Sequence, residues 1–316
     1  MIAVIGSGSW ATEIVHILTE QSSRRINWWV RDPEKARDLQ GANPRLHVSS
    51  DIVKVVESSD DIYLVVPSAF LKSVMSPLTP SHFENKNVIS AVKGFVPGDY
   101  LTVTQFVGQT YGVPQNHLCI VSGPSHAEEV ARCCLTYLTV ASTNRHLAER
   151  VREHLACDFL RTIYSDDIAG VECAAALKNA FAVASGICYS LGYGDNMAGV
   201  LVANMLQEMG HFISAFTADG RQRDMSAYIY ASDLLATCYS QHSRNRTFGE
   251  LIGRGYSTKE ARLMQKMVAE GYYVIDALEH LRQRLNIQLP IAQTLYRIIY
   301  EGRGVRRELQ NLTTSF

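Results

Sequence analysis

Charge of one sign is what this chain most plainly lacks: 30 Lys and Arg stand against 31 Asp and Glu, a formal net charge of −1. Without a basic field or a long Lys/Arg block, nucleic acid is not an expected partner. The cluster of Arg303, Arg306 and Arg307 reads as a solvated face. The seven cysteines form no C-x-x-C pair and no Cys/His ligand spacing, so no metal is expected and the thiols read as free in a reducing cytoplasm. His126 beside Glu128 and Glu129 lacks the H-E-x-x-H spacing of a zinc site and reads as part of a helix start. No charged, apolar leader precedes the first strand-like run, and no repeat or low-complexity tract is visible. The longest apolar stretch, 168–191, contains Glu172, Lys178 and Asn179 and suits a buried helix better than a membrane span.

What is present points to two domains. At 316 residues and 47% hydrophobic content the chain can fill two cores. Residues 2–18 read IAVIGSGSWATEIVHIL, a short apolar run, G-x-G, then a helical pattern. That layout cradles a dinucleotide pyrophosphate: Gly6 permits the strand-to-helix turn, Gly8 lets the backbone approach the phosphates, and the helix start offers N–H donors. Ala11 stands at the third glycine position, where a small side chain suffices. Further strand-like runs at 26–30, 60–67, 87–94, 118–124, 135–142 and 159–165 alternate mostly with helical segments, which predicts an α/β, doubly wound, mostly parallel Rossmann-type sheet over 1–165. Ligands of such sheets sit at the carboxyl ends of strands, here Pro67 and Ser68, Lys93 and Gly94, and Gly123 to Ser125. Ser125 and Glu128 fit a capping box there. Past Ser165 helical periodicity takes over, with capping boxes expected at Thr247–Glu250 and Ser257–Glu260, so 166–316 reads as an all-helical C-terminal domain.

Within that helical half, the segment GVECAAALKNAFAVASG surrounds a single lysine with alanines. Lys178 is therefore either a buried ammonium held by a structural partner or a proton donor to a substrate oxygen, for which its pKa must fall from about 10.4. The turn at Ser243, Arg244, Asn245 and Arg246, after Asp233, is either an exposed basic turn or a phosphate cradle at a helix start.

Six ordered motifs, GSGSWAT, VKGF, SGPSHA, ALKNAFA, DLLATCYSQHSRNRTFG and VAEG, run through nearly the whole length. In them the chain resembles the bacterial type of NAD(P)-dependent glycerol-3-phosphate dehydrogenase. The resemblance implies reversible reduction of dihydroxyacetone phosphate to sn-glycerol 3-phosphate for glycerophospholipid synthesis, with Lys178 as the catalytic proton donor or acceptor. It implies cofactor contacts at Gly6, Gly8, Ser9, Trp10, Arg31, Lys93, Ala127, Arg244 and Glu270. It implies substrate contacts at Lys93, Gly123, Ser125, Asp233, Ser243, Arg244 and Asn245. A cytoplasmic homodimer without membrane insertion is the matching family-level expectation. The chain departs from the family at Ala11, His126 and Ser232, and at Ala198 and Asn204, which replace cations. Arg31 followed by Asp32 admits NADP or NAD, with Arg31 tilting the balance to NADP. The alternatives are another two-domain NAD(P)-dependent dehydrogenase of hydroxy or sugar acids, or a non-catalytic NAD(P) sensor, which has no need of Lys178.

Overall fold

The computed structural model describes residues 1–21, 23–41, 43–265, 268–314 and 316. The chain forms two compact units, Met1–Val92 with Leu101–Val171, and Lys93–Tyr100 with Glu172–Phe316.

The first unit is built on eight strands: β1 (Ile2–Ile5), β2 (Ile26–Trp29), β3 (Leu46–Ser49), β4 (Asp61–Leu64), β5 (Asn87–Ser90), β6 (Leu118–Ser122), β7 (Thr136–Ala141) and β8 (Leu160–Ser165). They lie in the order β3-β2-β1-β4-β5-β6-β7-β8, and every pairing is parallel except β6 with β7. Seven of the runs follow the apolar pattern; β3 was not anticipated, because as an edge strand it is only partly buried. The four-residue strands β1, β2, β4 and β5 are buried along their whole length because helices cover both sides of a parallel sheet. Those helices are α1 (Ser9–Gln21), α2 (Pro33–Leu39), α3 (Ile52–Glu57), α4 (Leu71–Met75), α5 (Val103–Tyr111), α6 (Ala127–Val130) and α7 (Arg145–Leu155). Ala11, Ile14, Val15 and Leu18 of α1 join Val4, Tyr63 and Ile89 of the sheet in one core. Ala11 is fully buried, as the small-residue position requires. Strand order reverses at β1, so the segments after β1 and β4 part at their carboxyl ends, the place where such sheets leave a crevice.

The second unit contains only helices among its described residues: α8 (Ile168–Ser190), which begins in the last residues of the first unit, α9 (Gly194–Thr217), α10 (Tyr228–Tyr239), α11 (Arg244–Gly253), α12 (Thr258–Met264), α13 (Glu270–Leu285), α14 (Pro290–Ile299) and α15 (Val305–Thr313). Among the described residues α8 alone is long and apolar enough to cross a membrane, and 94% of its apolar window is buried inside the protein, as befits a core helix. The capping box at Ser257 and Glu260 forms at the start of α12. The one expected at Thr247 does not: α11 starts earlier, with Ser243 as the N-cap, so Thr247 lies inside the helix and its hydroxyl donates back to the Ser243 carbonyl. The Ala198 and Asn204 departures fall on α9, where Asn204 Nδ2 donates to the Val200 carbonyl of its own helix.

Candidate active site

Lys178 sits in the middle of α8, where alanines at 174, 175, 176, 180 and 182 leave room for a side chain to lie within the helical unit. The residue is 6% exposed, and its ammonium donates to Asp233 Oδ1 at 2.7 Å and to Thr237 Oγ1 at 2.9 Å. Lys93 Nζ donates to the other carboxylate oxygen, Asp233 Oδ2, at 2.9 Å. One buried carboxylate on α10 thus faces two ammoniums. Burial, opposed by Asp233 and reinforced by Lys93, lowers the Lys178 pKa to about 8. For Asp233 burial acts upward, yet the charges and hydrogen bonds of Lys178 and Lys93 outweigh it and hold the carboxyl below its usual range. Thr237, one turn after Asp233 on α10, completes the donor geometry and was not anticipated; its spacing of i, i+4 from Asp233 was the available signal.

A chain of amide hydrogen bonds fixes the surroundings of this cluster. Asn179 Nδ2 donates to the Lys93 carbonyl at 2.7 Å, Asn245 Nδ2 donates to Asn179 Oδ1 at 2.7 Å, and the Gly271 N–H donates to Asn245 Oδ1 at 2.8 Å. Asn179 is a second residue that the sequence reading left without a role. Gly271 permits the close approach of α13 to α8, since a Cβ there would lie 2.8 Å from Val183 Cγ2 and 3.0 Å from the Asn179 carbonyl carbon. Ser243 is buried and its hydroxyl accepts from the Arg246 N–H, while Arg244 is exposed on the first turn of α11. Arg246 is turned to structure: it donates to the Tyr239 carbonyl, pairs with Glu250 at 3.3 Å and lies over the Tyr189 ring, so the cationic turn is carried by Arg244. Glu270 opens α13 next to Gly271.

The remaining predicted residues belong to the first unit. Gly6 follows β1 with φ +136°, and a side chain there would collide with the Val65 backbone after β4. Gly8 accepts the first hydrogen bond of α1 from the Thr12 N–H, and a Cβ on it would meet nothing within 4 Å. Ser9 and Trp10 form the first turn of α1, which carries no acidic residue, and Lys35 Nζ donates to the Ser7 carbonyl at 3.0 Å. Open space before a helix start, bare N–H donors and an adjacent ammonium fit a dinucleotide pyrophosphate. Arg31 is exposed just past β2, and Asp32 caps α2, its Oδ1 accepting from the Glu34 and Lys35 N–H groups. Gly123, at φ +133°, leads through Ser125 to Ala127, the first residue of α6. The expected Ser125 capping box is absent, because the Ser125 hydroxyl donates to the Gly123 carbonyl and His126 takes the N-cap position.

Residues 1–148 match the family model for the N-terminus of NAD-dependent glycerol-3-phosphate dehydrogenase, and residues 167–310 match the model for its C-terminus. The chain belongs to the NAD-dependent glycerol-3-phosphate dehydrogenase family. The glycerol-3-phosphate dehydrogenase [NAD(P)+] of Syntrophomonas wolfei is 33% identical, over 98% of this chain and 94% of the relative. That of Prosthecochloris aestuarii is 31% identical, over 99% and 98%. Among solved structures, the glycerol-3-phosphate dehydrogenase of Coxiella burnetii superposes with a TM-score of 0.91 at 29% identity, covering 99% of this chain and 98% of that one. Family membership makes the chain an NAD(P)-dependent oxidoreductase, and the glycine turn of β1 and α1 is the part that would hold the dinucleotide.

Proposed function

We propose that the chain reversibly reduces dihydroxyacetone phosphate to sn-glycerol 3-phosphate with NAD(P)H, supplying glycerophospholipid synthesis in the cytoplasm, and that it works as a homodimer without membrane insertion. The observation that carries this reading is the Lys178 ammonium, buried, oriented by Asp233 and Thr237, and titrating at about 8. Bound NAD(P)H supplies the hydride. As negative charge builds on the ketone oxygen, Lys178 stabilises it and then gives up its proton; in the oxidation direction the neutral amine takes the proton from the alcohol. By the family resemblance Lys93, Gly123, Ser125, Ser243, Arg244 and Asn245 would be the substrate contacts. Gly6, Gly8, Ser9, Trp10, Ala127 and Glu270 would line the cofactor. In this assignment residues 1–165 chiefly serve the dinucleotide and 166–316 chiefly the substrate, with Lys93, Gly123, Ser125 and Glu270 as exceptions.

NADP is the preferred cofactor in this reading. The Asp32 carboxylate is engaged as the cap of α2, whereas Arg31 and Lys35 add two cations near the end of β2 and the glycine loop.

The test is oxidation of NADPH, then of NADH, by purified protein on addition of dihydroxyacetone phosphate, with a panel of 2-keto acids alongside. Lys178→Ala is expected to bind cofactor normally yet lose about 10²–10⁴-fold in turnover, the usual contribution of a positioned proton donor. Wild-type turnover in Lys178→Ala refutes the assignment, and a response confined to keto acids refutes the substrate. An unchanged NADPH to NADH ratio in Arg31→Ala refutes the cofactor preference.

A further inference from the structure

The helical unit carries a second concentration of positive charge that shares no residue with the catalytic cluster. A cavity of about 450 Å³, within the size range of small-molecule sites, is lined by Arg297 of α14, Arg303 and Gly304 of the following turn, and Arg307, Glu308 and Asn311 of α15. Arg307 and Asn311 are one turn apart on α15, so both present side chains on the same face. The opposing charge is partial. Glu308 lies 3.7 Å from Arg297 and 3.9 Å from Arg303, and Glu301 pairs with Arg303 at 2.6 Å. Two guanidiniums thus share two carboxylates, and Arg307, which also lines the cavity, has no ion pair among the described residues.

Two features indicate a ligand rather than a self-satisfied salt-bridge network. Among the described residues neither Arg297 nor Arg307 donates a hydrogen bond from its guanidinium, since the Arg297–Glu308 separation exceeds hydrogen-bond length. The Glu308 side chain is 5% exposed, and its Oε2 is buried without a hydrogen-bond partner among the described residues. Guanidinium forks suit phosphate oxygens, and the Glu308 oxygen suits a neighbouring hydroxyl or ammonium. We propose that this cavity binds a small phosphate monoester that also carries a hydroxyl or ammonium donor, at a site separate from catalysis. The cluster at Arg303 and Arg307 is then part of a ligand site and not merely the solvated face that its sequence suggests.

The experiment is calorimetric titration of the full chain with glycerol 2-phosphate, its catalytic site first filled with NADP+ and dihydroxyacetone phosphate, a pair that cannot react. One site is expected on the wild type. In the surface variant Arg307→Ala, which breaks no recorded ion pair, the affinity should fall at least about tenfold, with the melting temperature and the kinetics of dihydroxyacetone phosphate reduction unchanged. No heat on the wild type, or equal affinity in the variant, overturns the proposal. Inorganic phosphate should bind more weakly; equal binding overturns the role of Glu308. Sedimentation with phosphatidylglycerol vesicles is the remaining arm, and vesicle binding without any response to the soluble ester overturns the proposal in favour of a lipid surface.

Discussion

Replacing Asp233 by Asn tests the proton chemistry most directly, because its carboxylate accepts from both Lys178 and Lys93. In reduction Lys178 must enter protonated, so with a pKa of about 8 the activity is present below that pH and declines above it. The Asp233 charge raises the Lys178 pKa, while Lys93 lowers it. Removing the carboxylate while keeping Lys93 therefore moves the limb to lower pH on both counts. Opposite charges ~4 Å apart at an effective dielectric of ~20 attract by about 4 kcal/mol, and a third of that, about 1.4 kcal/mol, shifts a titration by one unit. The reduction limb of Asp233→Asn should accordingly fall by at least about one unit, to near or below neutrality. The oxidation limb, which rises as Lys178 loses its proton, should move by the same amount, since one group governs both directions. The assay is kcat/KM against pH in each direction, on variant protein whose circular dichroism matches the wild type. A variant whose limbs stay at about pH 8, or in which one limb moves alone, refutes Lys178 as the proton donor and Asp233 as its regulator.

Two further perturbations follow from the packing of the helical unit. Gly271→Ala must push α13 away from Val183 and the Asn179 backbone of α8. It should cost about 1–3 kcal/mol in urea unfolding and also lower kcat/KM, because the Gly271 N–H orients Asn245; unchanged stability and kinetics would show that the approach is not tight. Glu208, on α9, caps the start of α14 through the Ile291 and Ala292 N–H groups, and burial, only partly offset by those donors, lifts its pKa from 4.5 to about 7. The folded state then keeps a proton that the unfolded chain releases. This contribution to stability is full below the unfolded pKa and is lost as pH rises through the folded one. Glu208→Gln should remove a slope of up to ~1.4 kcal/mol per pH unit in that window, and identical pH–stability curves for the two proteins would refute the assignment.

How much of this was legible in the sequence depends on the range of each interaction. The glycine turn is local, so a strand, G-x-G and a helix within residues 2–18 were enough to place it. Strand β3 was hidden because an edge strand buried on part of one face has neither a continuous apolar run nor clean alternation. The helix start at Ser243 was misplaced onto Thr247 because the pattern S/T-x-x-E was taken as the marker, whereas Ser243 caps without a reciprocal acid. Lys178 stood out because an ammonium among alanines needs a reason. Its partner did not: Asp233 is 55 residues away and Lys93 is 140 residues from Asp233, distances at which one sequence carries no pairing signal.

That long-range pairing sets two ammoniums against the two oxygens of one carboxylate, an arrangement in which each lysine weakens the other's hold on its proton. Here two lysines bond to one carboxylate, and the Lys93 charge is among the forces that hold Lys178 near 8 instead of letting Asp233 restore the usual value. A phosphate ester arriving at Lys93 and the Arg244 turn would bring further negative charge to the cluster. By the same Coulomb terms that depress Lys178 in its absence, the substrate would raise the lysine's affinity for the proton it must hold until the hydride has moved.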